Sequence, residues 1–465
     1  MKTVFITLVN RAIYRNLFFF KKSVFYRLKE EQKKNPNLRI VLVAPKHQEK
    51  IYKEVLKNEL NDRCLIVPAD VSSPSGIKEK LFYFFYSYLI YTGTTKLLAT
   101  MGMRPDEPPA GGKRYLSLFK WLIANTFGKS AWVKTTLVPH LFPIVYKTTA
   151  YSDIFEKYKP DLVFISHIYG WSDAHVLAEA KKRNIKTIGM AAGWDHLDKY
   201  FLPLHVDTLL AQSNETKNSA LKYQMYEPDK VSVVGYPHFD FIADPEIVMP
   251  REEILKFLNL PLNACYIIYV SGSAYCPDEP AIIEKVISWM KEKKFGPDMY
   301  LIVRPYSGGR SKDKEFDQKK FDRFAEDPSV RFFSADLWDD VYMSKIFTNT
   351  IRYCDVLIGM YTTLVLEAAV LDRPIAAAAF DGHRTLPMYR SIRRFEKFEH
   401  FQDVLKTGAL ATGYNFDELF SILDRYIKNP EWLKEERKLM RKELCHVLDC
   451  KGSERIVNTI LAELR

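Results

Sequence analysis

The sequence predicts an α/β chain built from two doubly wound, Rossmann-like domains in tandem, and three observations predict it. Short β-branched runs alternate with helix-like segments over most of the 465 residues. The runs are apolar throughout, as strands buried on both faces of a parallel sheet require. Midway, the alternation stops across ADPEIVMPREE (243–253) and then restarts. A chain of this length also exceeds one ordinary core.

In the first half the strand-like runs are 3–9, 39–44, 64–69, 161–166, 186–191, 208–213 and 230–235. Between them lie segments such as HVLAEAKKRN (175–184), apolar at helical spacing and ending in basic residues and asparagine. In the second half the runs are 264–274, 300–309, 330–335, 354–360 and 373–380. The boundary falls near residue 245, giving an acceptor-binding domain over 1–245 and a donor-binding domain over 246–465. From about residue 415 the second domain reads as a charged helical tail. The opening MKTVFITLVNRAIYRN reads as a first strand: its apolar run is too short for a secretion signal, and no small-residue cleavage site follows. Residues 92–115, with GTT and RPDEPPAGG, read as a long mobile loop.

A hydrophobic fraction of 47% with 27% charged residues describes a folded protein, and a net charge of +11 points to an anionic partner. No apolar run reaches the roughly eighteen residues of a membrane span, and LFYFFYSYLIY (81–91) reads as a buried helix, with a membrane-surface helix as the alternative. Six cysteines without a CxxC pair read as reduced thiols, neither a disulfide framework nor a zinc site. Basic residues are scattered among acids and no nucleic-acid-binding module pattern occurs, so nucleic acid is not an expected partner. The basic aromatic runs 18–29 and 388–398 suit a peripheral face toward anionic lipid, with a solvated helix face as the plainer alternative for each, and the expected location is the cytoplasm, at the inner face of a membrane.

In open parallel sheets, ligands meet the residues just after each strand. In the second half these are Ser271, Gly272 and Ser273, whose amides suit a phosphate, and Arg304, Tyr306 and Ser307, which suit a diphosphate. Tyr361, Thr362 and Thr363 follow in a strand-to-helix turn, with Glu367 one turn on to accept ribose hydroxyls. Asp381, Gly382 and His383 end the next strand. Each has a plainer alternative as a helix cap or a surface turn; their repetition in successive strands favours a nucleotide. In the first half, Trp194, Asp195, His196, Asp198 and Lys199 crowd one loop. Asp195 or His196 can be the general base, and Asp195 is preferred because its carboxylate can also orient His196. His167, Tyr169, Trp171 and Asp173 follow the preceding strand, and Asn10, Arg11 and Arg15 follow the first; His167, Trp171, Trp194, Lys199, Asn10 and Arg15 are the candidate acceptor-binding residues. Asp240 reads as a cap or brace of the interdomain linker. No DxD stands in a suitable context, so no metal is expected, and no cofactor beyond the donor itself.

Three segments carry a family resemblance. CDVLIGMYTTLVLEAAVLDRPIAAAAFDG (354–382) resembles the donor-site segment of GT-B glycosyltransferases. KVSVVGYPHFDF (230–241) is similar to the segment closing the first domain in bacterial surface-polysaccharide transferases and CDP-glycerol glycerophosphotransferases. CKGSERIVNTILAEL (450–464) resembles their last helix, with Lys451 where an aspartate is usual. The likeness covers roughly 155–465. It implies two domains facing across a cleft, with Arg304, Thr362, Thr363 and Glu367 holding a nucleotide-linked donor.

The function this implies is metal-independent transfer of a sugar from a nucleotide-sugar to a surface-glycan or lipid-linked acceptor. Transfer of a phosphopolyol from a CDP-glycerol-type donor is the alternative. A sugar-nucleotide 2-epimerase shares the fold but requires a denser array of carboxylates. A catalytically inert nucleotide- or sugar-binding relative is the reading outside enzymes.

Overall fold

A computed structural model describes residues 1–464 except 71–72, 101–115, 147–148, 192, 273–275, 297, 307–314, 317–318 and 389. The chain divides into two units. The first comprises Met1–Thr95, Leu116–Phe241 and Leu448–Arg465; the second comprises Lys96–Tyr115 and Ile242–Val447.

The first unit holds seven parallel strands: β1 (Lys2–Thr7), β2 (Leu38–Ala44), β3 (Cys64–Pro68), β4 (Leu162–Ile165), β5 (Lys186–Met190), β6 (Thr208–Ala211) and β7 (Val231–Val233). Their order is β3-β2-β1-β4-β5-β6-β7. The register sets Phe5 against Val41 on one side and Val163 on the other, all three fully buried. Burial on both faces is why these strands read as unbroken apolar runs.

The second unit repeats the plan with six parallel strands: β8 (Cys265–Val270), β9 (Met299–Arg304), β10 (Val330–Phe332), β11 (Val356–Gly359), β12 (Ile375–Ala378) and β13 (Ala411–Gly413). Their order is β10-β9-β8-β11-β12-β13. In both sheets the chain winds outward from the first strand and then restarts on its other side. The switch points lie between β1 and β4 and between β8 and β11, where doubly wound sheets open a ligand crevice at the carboxyl ends of the strands.

Helix starts follow local chemistry. Asn10 accepts from the Ile13 amide at 3.0 Å, Ser213 from Thr216 at 3.2 Å, and Asn415 from Glu418 at 2.9 Å, with Glu418 returning a bond to the Tyr414 amide.

The structure departs from the sequence reading in four places. The helix Gly452–Glu463 packs in the first unit, so the second unit ends at Val447 and not at 465. Asp240 fixes that helix, accepting from the Gly452 amide at 2.9 Å and the Ser453 amide at 2.6 Å; it is a helix cap. Residues 93–100, expected in a loop, are helical, and residues 101–115 lie outside the described residues. Phe18, Phe19, Phe20, Val24 and Phe25 are buried, so the apolar side chains of the run 18–29 belong to the core and not to a lipid-facing surface; Ile392 and Phe395 are buried likewise. Among the described residues no helix is long and apolar enough to cross a membrane.

Candidate functional site

In the second unit the carboxyl ends of β8, β9, β11 and β12 converge. Ser271 donates its amide to the Arg304 carbonyl at 3.1 Å, and a Cβ on Gly272 would lie 3.2 Å from that of Met360. The turn after β12 closes over the same edge, where Arg384 pairs with Asp278 at 3.0 Å.

A buried carboxylate organises this edge. Glu279 is fully buried and accepts from the Ser271 hydroxyl at 3.0 Å and the Gly272 amide at 2.7 Å, with Lys320 at 2.7 Å. Burial pushes its carboxyl up, against the opposing pull of Lys320 and these donors. The Ser271 hydroxyl and Gly272 amide, expected to meet a phosphate, are therefore engaged by Glu279. Arg304 is likewise drawn inward: its Nη1 donates to the Phe333 carbonyl at 2.8 Å and its guanidinium lies over the Phe333 and Phe347 rings. Tyr306 is exposed, while Ser273 and Ser307 lie outside the described residues.

After β11 the backbone turns through Tyr361 at φ 49°, a left-handed conformation that a non-glycine residue adopts only when its surroundings hold it there. The Tyr361 hydroxyl donates to Glu396 at 2.8 Å and its ring stands edge-on to Phe401. Thr362 accepts from the Leu364 amide at 3.4 Å. Thr363 occupies the N-cap position with no side-chain bond to the helix and is exposed. Glu367 follows, half-buried, in the helix Leu364–Val370. Asp381 accepts from the Ile392 amide at 2.8 Å, and the His383 ring lies against Phe416.

In the first unit the loops after β4 and β5, adjacent strands, bring together His167, Asp195, His196 and Lys199. Asp195 stands between two cations or proton carriers: its Oδ2 is 2.5 Å from Lys199 Nζ and its Oδ1 is 3.6 Å from His196 Nε2. The His196 ring packs 5.2 Å from that of His167 and stacks on Tyr169. Burial, reinforced by His196 and Lys199, lowers His167 to about 3, so it is neutral at pH 7. Trp194 is buried beside them.

Behind this cluster, at the switch point, lies Asp173. It is fully buried and accepts from the Thr7 hydroxyl, which also lies 3.0 Å from the Ser166 hydroxyl. Burial pushes its carboxyl up to about 7, and the Thr7 hydrogen bond opposes that shift.

Other expected residues lie elsewhere. Trp171 stands edge-on to Tyr146 and His175, and with Tyr169 and Tyr200 it lines a cavity of ≈ 50 Å³. Asn10 is a helix cap, and Arg15 reaches His238 at 3.3 Å. A wider cavity of ≈ 700 Å³ opens by Lys186, Asp207 and Lys230, at the amino ends of the strands and away from the cluster. The residues that sequence reasoning missed are Glu279 and Lys320. Neither carries a distinguishing local pattern: Glu279 reads as an ordinary acid in the first turn of a helix.

Among curated proteins, none matches the sequence. Residues 320–462 match the family model of CDP-glycerol:poly(glycerophosphate) glycerophosphotransferase. The fold is similar to that of the UDP-GlcNAc 2-epimerase from Methanocaldococcus jannaschii, at 14% identity and TM-score 0.53, over 99% of this chain and 100% of that one. It is similar also to the Neisseria meningitidis UDP-GlcNAc 2-epimerase bound to UDP-GlcNAc (13%, 0.53, over 99% and 100%) and to S. aureus MnaA with UDP (14%, 0.54, over 100% and 97%). At such identities the likeness shows the fold. The chain thus has the two-domain α/β architecture of the GT-B fold, and its residues 320–462 match the CDP-glycerol:poly(glycerophosphate) glycerophosphotransferase family model.

Proposed function

We propose that the chain moves a sugar from a nucleotide-sugar to a hydroxyl of a glycan or lipid-linked acceptor, without a metal ion, at the inner face of a membrane. The observation that carries this reading is the grouping of His167, Asp195, His196 and Lys199 at one sheet edge. A hydroxyl acceptor needs a base, and a buried-edge imidazole backed by a carboxylate provides one. Lys199 holds one oxygen of Asp195, leaving the other toward His196. This arrangement favours His196 as the base and Asp195 as the group that orients it, the reverse of the preference drawn from sequence.

On the donor side, Thr362, Thr363 and Glu367 are the residues assigned to the nucleotide. The exposed Thr363 at the head of its helix suits a diphosphate oxygen, and Glu367 suits the ribose. Arg304 supports that edge from within. As the new glycosidic bond forms, the sugar–oxygen bond to the diphosphate breaks, the acceptor proton passes to His196, and the nucleoside diphosphate leaves.

The match of residues 320–462 favours a second reading, transfer of a phosphopolyol from CDP-glycerol. There the bond broken lies between the two phosphorus atoms, and CMP leaves. The released nucleotide therefore distinguishes the two. The enzyme is incubated with UDP-, GDP- and CDP-linked donors and a lipid-linked acceptor, with and without EDTA, and the nucleotides are resolved by anion-exchange chromatography. A nucleoside diphosphate supports glycosyl transfer and CMP the phosphopolyol. No release from any donor overturns both, and loss of turnover in EDTA that manganese restores overturns metal independence.

A further inference from the structure

The loop that carries His196 has no regular secondary structure, so its backbone groups need partners from elsewhere in the chain. Two distant segments supply them. The first is Thr92, Thr94 and Thr95, which the sequence suggested were part of a mobile loop. Thr92 donates its hydroxyl to the Asp198 carbonyl at 2.6 Å, Thr94 to the Asp198 carboxylate at 2.5 Å, and Thr95 to the Lys199 carbonyl. Thr94 and Thr95 are fully buried. The second is Gln224, equally buried, at the end of the helix Asn214–Gln224. Its amide nitrogen donates to the Leu197 carbonyl at 2.7 Å and to the Tyr200 carbonyl at 2.9 Å, and its oxygen accepts from the Leu202 amide at 2.9 Å. Both N–H groups and the carbonyl of this side chain are thereby used. Gln212 holds the Ala191 carbonyl in the same manner, just past the end of β5.

Four consecutive carbonyls, those of residues 197 to 200, therefore each accept from a side chain outside the loop. This grip sorts the loop's own side chains. Leu197 and Asp198 turn inward, 1% and 2% exposed, whereas Asp195, His196 and Lys199 keep 19–24% of their side chains accessible. His196 immediately precedes the gripped run, and Lys199, which holds Asp195, lies within it. Valine at position 94 or methionine at 224 would fill much the same space and offer no donor, so hydrogen bonding, not volume, distinguishes the residues present.

We infer that Thr92, Thr94, Thr95 and Gln224 are positioning residues for the proposed reaction, fixing the loop from behind so that His196, Asp195 and Lys199 are presented together. The inference rests on the reading of His196 as the base. It adds residues that act through the loop and not on the substrates.

The test compares the wild type with Thr94→Val, Thr94→Ser and Gln224→Met in the nucleotide-release assay, at a temperature where thermal melts show every protein folded. Thr94→Val and Gln224→Met should lower kcat about ten- to a hundredfold, the cost of a base displaced by about an ångström, with the donor KM and nucleotide affinity by calorimetry unchanged. Thr94→Ser, which keeps the hydroxyl, should recover most of the lost rate. Should either variant prove too unstable to assay, Thr95→Val, which breaks the bond to the Lys199 carbonyl, replaces it with the same expectation. A purely structural role predicts a lower melting temperature with wild-type kcat, and that result overturns the inference. So does a loss of kcat that Thr94→Ser shares in full. A wild type that releases no nucleotide sinks the transferase reading and this inference with it, whereas wild-type turnover with undisturbed variants sinks this inference alone.

Discussion

Replacing Glu279 by glutamine leaves Lys320, only 4% exposed, without the carboxylate 2.7 Å away. Removing one partner of a buried ion pair costs about 3–5 kcal/mol, a large share of the roughly 5–15 kcal/mol that holds a domain folded. Lys320→Met alone strands the carboxylate of Glu279 in the same way and should cost a similar amount. The double variant removes both charges, and replacing a whole buried pair is often near neutral. The expected sum of the singles is thus about 6–10 kcal/mol, against a few kcal/mol for the double. Urea unfolding followed by tryptophan fluorescence reads this, since Trp289 lies on the helix Glu279–Lys291 that Glu279 begins. The Ser271–Gly272 turn depends on the same carboxylate, so nucleotide affinity should fall in Glu279→Gln and stay lower in the double variant. Additive single costs, with no recovery in the double, would refute the reasoning that the two charges exist for one another.

Other outcomes follow from the same geometry. His196→Ala should lower kcat by about two to four orders of magnitude while nucleotide binding persists, read by steady-state kinetics beside isothermal titration; Asp195→Asn should lower it less and shift the pH profile. Asp173 titrates near 7 in the fold against an ordinary value near 4, so its protonated form favours folding. Its stabilising contribution is complete below about pH 4 and is lost as pH rises through 7, by about 4 kcal/mol at most. Thermal melts from pH 5 to pH 8 should therefore fall less steeply in Asp173→Asn. Asp240→Ala should cost about 2 kcal/mol by uncapping the helix Gly452–Glu463, and limited proteolysis should release the C-terminal segment first.

Twelve of the thirteen strands were legible because parallel strands buried on both faces write themselves as continuous apolar runs. The thirteenth, β13 (ATG), is three residues long at the sheet edge and carries no such signature. Loop positions after the strands were legible for the same reason, and Asp195, His196, His167 and Lys199 do come together there. What those loops do with their donors was not. Ser271 and Gly272 look free in sequence, yet Glu279 returns from the next helix to bind both. Arg304 looks like a charge aimed at a ligand, yet two phenylalanine rings and a carbonyl some thirty residues on draw it inward. Asn10, offered as an acceptor contact, caps its own helix. Such pairings depend on tertiary proximity, which no local pattern encodes. Surface placement was equally hidden: FFFKK and SLFKW read alike, and only the fold buries the phenylalanines of the first and exposes the leucine, phenylalanine and tryptophan of the second.

The account centres on a nucleotide held at the carboxyl edge of the second sheet. Thermal-shift titration of the protein with UDP, GDP, CDP, CMP and dTDP, beside Thr363→Ala and Glu367→Ala, tests it most directly. A ligand at a hundredfold excess over its dissociation constant stabilises by about 2.7 kcal/mol. The account predicts such a shift with one nucleotide, sharply reduced in both variants. No shift with any of the five, or a shift that both variants retain in full, would contradict it.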